Sequence, residues 1–174
     1  MIDFIKCQKE HIKAVREMYR NSVDALQQTT NYPKWSDDHP SNEYIADSIA
    51  GGEVFACVGD GKILGAAVLS ENPEGRYESG DWRVVLEQGE FLVIHTLAVS
   101  PDYAGKGIGS FMVDRCIAYA KDNGYKAIRL DVVPGNVPAV NLYKKKGFTF
   151  AGMKDLQRNI NDIPVFELYE FNIE

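Results

Sequence analysis

An apolar run that ends in a turn with three glycines at alternate positions constrains this chain more than any other feature. Phe91 to Val99 is almost continuously apolar, and Val99-Ser100-Pro101-Asp102-Tyr103-Ala104-Gly105-Lys106-Gly107-Ile108-Gly109-Ser110 leads out of it. Such a run predicts a strand covered on both faces. Ile108, Phe111, Met112, Cys116, Tyr119 and Ala120 then recur at helical spacing and predict the buried side of a helix, with Asn123-Gly124 ending it. Glycines let the backbone approach a ligand without a Cβ in the way. The first turn of the helix adds unpaired N–H groups at the positive end of the dipole. A strand, this turn and a helix therefore suit a phosphate or pyrophosphate, with Lys106 and the Ser110 hydroxyl as further donors.

Two familiar phosphate loops are tested against the stretch. A P-loop needs a glycine five positions before the Gly-Lys pair and a Ser or Thr after the Lys, but those positions hold Ser100 and Gly107. A dinucleotide fingerprint beginning Gly105, Gly107 needs a third glycine where Ser110 stands, and it opens a repeating βαβ series rather than following antiparallel signals. A turn that merely packs helix on sheet stays open on this stretch alone.

The rest of the chain reads as a single domain over residues 1–174, with no repeat, linker or low-complexity segment. Ile2 to Lys6 predicts a strand. Ile12, Val15, Met18, Tyr19, Val23 and Leu26 predict one face of a helix, broken around Pro33. Ser41-Asn42-Glu43-Tyr44 opens a second helix that ends at Gly51-Gly52. Glu53 to Val58 and Lys62 to Ser70, joined by Gly59-Asp60-Gly61, predict a hairpin. Residues 72 to 90 are polar around Trp82-Arg83-Val84-Val85-Leu86 and carry no clear pattern. Ala127 to Val133 predicts a buried strand, Asn136 to Lys146 a short helix, and Phe148 to Met153 and Pro164 to Asn172 two more strands.

Composition narrows the function classes. A net charge of -6 lacks the basic field that nucleic acid or an anionic membrane surface requires. No apolar stretch approaches the roughly 18 residues of a membrane span, and the N-terminus lacks a signal-peptide core. Cys7, Cys57 and Cys116 are far apart and odd in number, which predicts reduced buried thiols rather than disulfides or metal ligands. The expectation is a cytoplasmic protein that binds no metal, nucleic acid or membrane.

A second constellation is Asn136-Val137-Pro138-Ala139-Val140-Asn141-Leu142-Tyr143-Lys144-Lys145-Lys146-Gly147-Phe148. Asn136 and Tyr143, seven apart, lie within about 20° on a helix. Helix capping by Asn136 and core packing by Tyr143 explain each residue taken singly. Together, Leu97-Ala98-Val99, Gly105-Lys106-Gly107-Ile108-Gly109 and Asn136…Ala139…Leu142-Tyr143…Gly147-Phe148 resemble the GCN5-related N-acetyltransferase (GNAT) superfamily, with matching order and spacing across roughly residues 91 to 150. One departure is Ala104, where the family usually has Gln or Arg; it bears on cofactor affinity.

The resemblance implies an α/β fold of about six or seven mainly antiparallel strands with about four helices and a splay between the two central strands. It implies acetyl-CoA as donor and direct attack by a primary amine in a ternary complex. Leu97, Ala98 and Val99 would pair with the pantetheine arm, Ala104, Gly105, Lys106, Gly107, Ile108, Gly109 and Ser110 would form the pyrophosphate turn, and Asn136 would bond the cofactor arm. An amide near Leu97 would polarise the thioester carbonyl, and Tyr143 would give a proton to the leaving thiolate. An alkyl amine of pKa ~10.4 is scarcely neutral at pH 7, so a base would help. His95 is the candidate, on the alternation Val93, His95, Leu97, Val99 with Leu97; a hydrogen-bonded core histidine and a residue that shapes the acceptor pocket are the alternatives. Glu71 is a second candidate, or a solvated charge. Tyr32, Trp35, Tyr44 and Trp82 fall where the family builds its acceptor pocket, with core packing the alternative for each. A small-molecule amine is favoured over a peptide amine as acceptor, in a monomer or homodimer. A non-catalytic acyl-CoA sensor is the competing function.

Overall fold

The computed structural model describes residues 1–160 and 162–174. Among them, in chain order, are β1 (Ile2–Lys6), α1 (Ile12–Gln28), α2 (Asn42–Ala50), β2 (Val54–Gly59), β3 (Lys62–Ser70), β4 (Phe91–Val99), α3 (Ile108–Asp122), β5 (Ala127–Val132), α4 (Val137–Lys145), β6 (Thr149–Lys154) and β7 (Phe166–Asn172). The strands form a mixed seven-stranded sheet in the order β1-β2-β3-β4-β5-β7-β6. β1/β2, β2/β3, β5/β7 and β6/β7 pair antiparallel. β4 and β5 run parallel, with Phe91, Leu92 and Val93 opposite Ala127, Ile128 and Arg129. This is the α/β class expected. The β4–β5 pairing ends at Val93, while β4 continues to Val99 and β5 to Val132.

The chain groups into two compact units, Met1–Leu69 with His95–Arg115, and Ser70–Ile94 with Cys116–Glu174. In the first, α1 buries Val15, Met18, Tyr19, Ser22 and Val23, the stripe that three- and four-residue spacing requires. The Ser41 hydroxyl accepts the Tyr44 N–H at 3.0 Å and starts α2. Asp60 and Gly61 both have positive φ (49° and 73°), which gives the two-residue turn whose twist matches the β2–β3 hairpin. Cys7, Val15, Met18, Tyr19, Ile45, Ile49, Val54, Ala56, Ala66, Val68 and Ala98 form its core, with Trp35 and Tyr44 packed against it.

In the second unit, Tyr77, Phe91, Val93, Ala127, Val133, Ala151, Leu156, Ile163, Phe166 and Leu168 form the core. Residues 72 to 90 contain one short 3-10 turn, Tyr77–Ser79. They are ordered by charged and polar groups on β5, β6 and β7. Arg129, 2% exposed, donates to the Val84 carbonyl at 2.8 Å and lies between the Trp82 and Phe91 rings. Glu170 accepts the Arg83 N–H at 2.7 Å, and the Asp81 N–H reaches the Ala151 carbonyl at 2.8 Å. Trp82 therefore packs on Tyr77 and Arg129.

Candidate functional site

In the first unit the site residues follow one another along β4, the turn and α3. His95 is 7% exposed, Ala98 is buried, and Leu97 and Val99 are half-buried. The even alternation expected from Val93 to Val99 does not hold. Thr96 has φ 50°, a left-handed conformation in which a β-branched residue is strained, at a cost of about 1–3 kcal/mol. A common face for His95 and Leu97 requires extended backbone between them, and Thr96 interrupts it. Tyr19 donates its hydroxyl to the Thr96 carbonyl at 2.9 Å, and the Ser22 hydroxyl donates to the Val99 carbonyl at 3.2 Å. Sequence reading placed Tyr19 in the apolar stripe of α1 and overlooked its hydroxyl.

The glycine turn is left-handed at Gly105 (φ 72°) and Gly107 (φ 81°), and a Cβ added at either would meet nothing within 4 Å. These glycines are thus required by backbone conformation, and they leave open space above the turn. The first intrahelical bond is Phe111 N–H to the Gly107 carbonyl at 3.0 Å. The N–H groups of Ile108, Gly109 and Ser110 precede it and have no intrahelical acceptor. Lys106 departs from expectation. Its N–H bonds the Tyr103 carbonyl at 3.3 Å, and its ammonium folds back on the Asp102 carbonyl at 2.9 Å and the Tyr103 ring. Ala104 is exposed, its N–H bonded to the Pro101 carbonyl at 3.2 Å.

In the second unit α4 carries the other two. Asn136 caps the helix, its Oδ1 accepting the Ala139 N–H at 3.3 Å, which leaves the carboxamide N–H groups as donors. Tyr143 is 7% exposed and packs edge-on against Phe148 at 5.4 Å. Among the described residues its hydroxyl has no hydrogen-bond partner, whereas a buried tyrosine usually finds one. Burial raises its pKa, and Cys116 and Asp131 add to the rise. Glu71 accepts the Tyr125 hydroxyl at 2.7 Å, beside the start of β5. Asp131, which bears on Tyr143, stands near the end of that strand. Asp131 itself takes both forks of Arg158, at 2.8 and 2.7 Å, and the hydroxyl of Tyr77.

The aromatic candidates separate. Trp35 leans on Tyr19 at 6.4 Å and on His39 at 5.5 Å, and Tyr44 is half-buried. Tyr32 is 40% exposed. Among the described residues, no three His, Cys, Asp or Glu side chains converge to hold a metal, and no helix is long and apolar enough to cross a membrane.

The chain is similar to known proteins. The chain is 33% identical over 94 residues to an uncharacterized N-acetyltransferase of Methanocaldococcus jannaschii, a match covering 54% of this chain and 38% of that protein. It is 30% identical over 105 residues to a streptothricin acetyltransferase of Streptomyces lavendulae, covering 60% and 48%. The chain thus spans about half or less of the length of these curated relatives. An L-amino acid N-acyltransferase of Escherichia coli is 26% identical over 140 residues, covering 80% and 75%. Among solved structures, a GNAT-family acetyltransferase of Streptococcus agalactiae superposes with a TM-score of 0.79 at 18% identity, covering 99% and 96%. A Salmonella typhimurium protein solved with its cofactor acetyl-CoA superposes with a TM-score of 0.72 at 17% identity, covering 100% and 95%. Structural likeness at that identity establishes the shared fold. The profile of the Acetyltransferase (GNAT) family matches residues 15–148, more than half of the sequence, and the chain belongs to that family.

Proposed function

We propose that this protein transfers the acetyl group of acetyl-CoA to the primary amine of a small molecule by direct attack in a ternary complex. The observation that carries the reading is the left-handed turn at Gly105 and Gly107, open above its backbone, in front of a helix whose first N–H groups lack intrahelical acceptors. That arrangement fits a diphosphate. Family membership, the acetyl-CoA held by the Salmonella protein, and the streptothricin and L-amino acid named for two relatives support the donor and the acceptor class.

Bound acetyl-CoA supplies an activated acyl carbon with a thiol as leaving group. The amides of Gly105 and Gly107 to Ser110 hold its diphosphate, with Lys106 contributing through its fold-back on the turn. Leu97, Ala98 and Val99 offer strand backbone to the pantetheine arm, and Asn136 donates its carboxamide N–H to the same arm. The Leu97 N–H polarises the thioester carbonyl, an oxyanion-type contact that strengthens as charge develops. Tyr143 holds a proton at Oη and donates it as a hydrogen bond toward the leaving sulfur. Full transfer from an ordinary phenol of pKa ~10 to a thiolate whose thiol titrates near 8.5 is already uphill by about 2 kcal/mol. Burial makes it more so, and the contribution of Tyr143 is therefore partial. His95 is the group proposed to take the proton of the amine.

The test is thiol release from acetyl-CoA with a panel of L-amino acids, polyamines, streptothricin and a peptide amine. The expected result is release that depends on a small-molecule amine. Binding of acetyl-CoA with no release by any member would replace this reading with a non-catalytic acyl-CoA sensor.

A further inference from the structure

Thr96 lies within β4 in a conformation that its β-branched side chain disfavours, and α1 holds it there. Tyr19, 1% exposed, donates its hydroxyl to the Thr96 carbonyl at 2.9 Å, and Thr96 Oγ1 stands 3.4 Å from the Tyr19 hydroxyl oxygen. Three residues along α1, the Ser22 hydroxyl is shared between the Met18 carbonyl at 3.0 Å and the Val99 carbonyl at 3.2 Å. A serine has one proton to give, so Tyr19 is the fuller anchor. An apolar ring would fill the Tyr19 site as well, and a hydroxyl buried there is costly unless bonded. Burial also raises the Tyr19 pKa above that of an ordinary phenol, so it remains a donor at any working pH.

A trans peptide points its C=O and its N–H in opposite directions. The Val99–Ser100 peptide shows the rule, its carbonyl turned to Ser22 and its N–H to the Leu64 carbonyl at 2.8 Å. For the Thr96–Leu97 peptide, the bond to Tyr19 holds the carbonyl toward α1 and turns the Leu97 N–H away from it.

We propose that Tyr19 is a positioning residue whose hydroxyl, by holding the Thr96 carbonyl, aims the Leu97 N–H at the thioester carbonyl. This rests on the acetyl-transfer reading above. The prediction is specific because Tyr19→Phe keeps the ring and removes only the bond. With an amine from the panel that supports release, Tyr19→Phe lowers kcat by about tenfold or more with the acetyl-CoA KM unchanged, since the contact matters only as charge develops. Thr96→Gly introduced into that variant recovers most of kcat, because glycine adopts the left-handed conformation without an anchor. Tyr19→Phe with unchanged kcat overturns the proposal, as does a double variant no faster than Tyr19→Phe. Hydrogen exchange over residues 95–98 of the same proteins needs no acceptor. It accelerates in Tyr19→Phe if the hydroxyl holds the strand, and unchanged exchange overturns the anchor whatever the activity. A wild-type chain that releases no thiol with any amine sinks the activity reading, and exchange then decides the anchor alone.

Discussion

A mostly buried tyrosine usually finds a partner for its hydroxyl, and Tyr143, 7% exposed, has none among the described residues. Replacing it with phenylalanine removes a donor and little packing. The expected outcome is turnover lowered by about 10- to 100-fold with acetyl-CoA binding nearly intact. Unchanged turnover would remove it from the mechanism. Its raised pKa also means that activity has no falling limb due to Tyr143 between pH 8 and about 10, because the proton stays on Oη through that range. Gly107 is a residue of another kind. A Cβ there meets nothing within 4 Å, but valine forces a β-branched side chain to φ 81°. Gly107→Val is expected to cost about 1–3 kcal/mol in stability and to weaken acetyl-CoA binding by tenfold or more, as read by calorimetry. Normal affinity would mean that the turn holds no diphosphate.

Elements meet at two places where little can move. A Cβ on Gly65 of β3 would lie 2.7 Å from the Met112 sulfur and 2.9 Å from the Ala98 carbonyl oxygen. The thioether can swing aside, but the backbone oxygen cannot. Gly65→Ala is therefore expected to lose about 1–3 kcal/mol in denaturant unfolding. On β5, Asp131 receives the forked guanidinium of Arg158, whose other N–H groups reach the carbonyls of Pro73 and Glu74. That bond set ties the start of the 72–90 segment to the strand. Asp131→Asn leaves a mostly buried guanidinium without its countercharge, at about 3 kcal/mol. Proteolysis within residues 72–90 should rise in that variant, and an unchanged cleavage rate would show that the segment is held without Asp131.

The whole chain responds to alkali through its buried acids. Burial pushes the Cys7 and Cys116 thiols from 9.0 up to about 12. In that window the folded chain keeps protons that the unfolded chain gives up, so stability is fully present below about pH 9 and falls as pH rises toward 12. Melting temperature is expected to be flat through neutrality and to drop over that range, and thiol reagents should react only as the protein unfolds. A flat melting temperature to pH 11 would contradict the burial of these thiols.

What was legible in the sequence was local. Apolar spacing of 3.6 marked α1 and α3, apolar runs marked the strands, and cap and glycine residues bounded α2 and α4. Ser41 marked its cap, Asp60-Gly61 its turn, and Gly105 and Gly107 their left-handed backbone, because those conformations admit few residue types. The glycine turn could be read for the same reason, whereas Asn136 and Tyr143 stood out only through the family resemblance. The 72–90 segment could not, since its order comes from Arg129, Asp131, Arg158 and Glu170, which look like surface charges until partners across the sheet bury them. Nor could Thr96, whose φ no local rule requires. Local residue order was enough to place the helices, strands and tight turns. Which charges are buried, and which carbonyls of β4 are held by hydroxyls of α1, rested on tertiary contacts, because each depends on atoms distant in the chain.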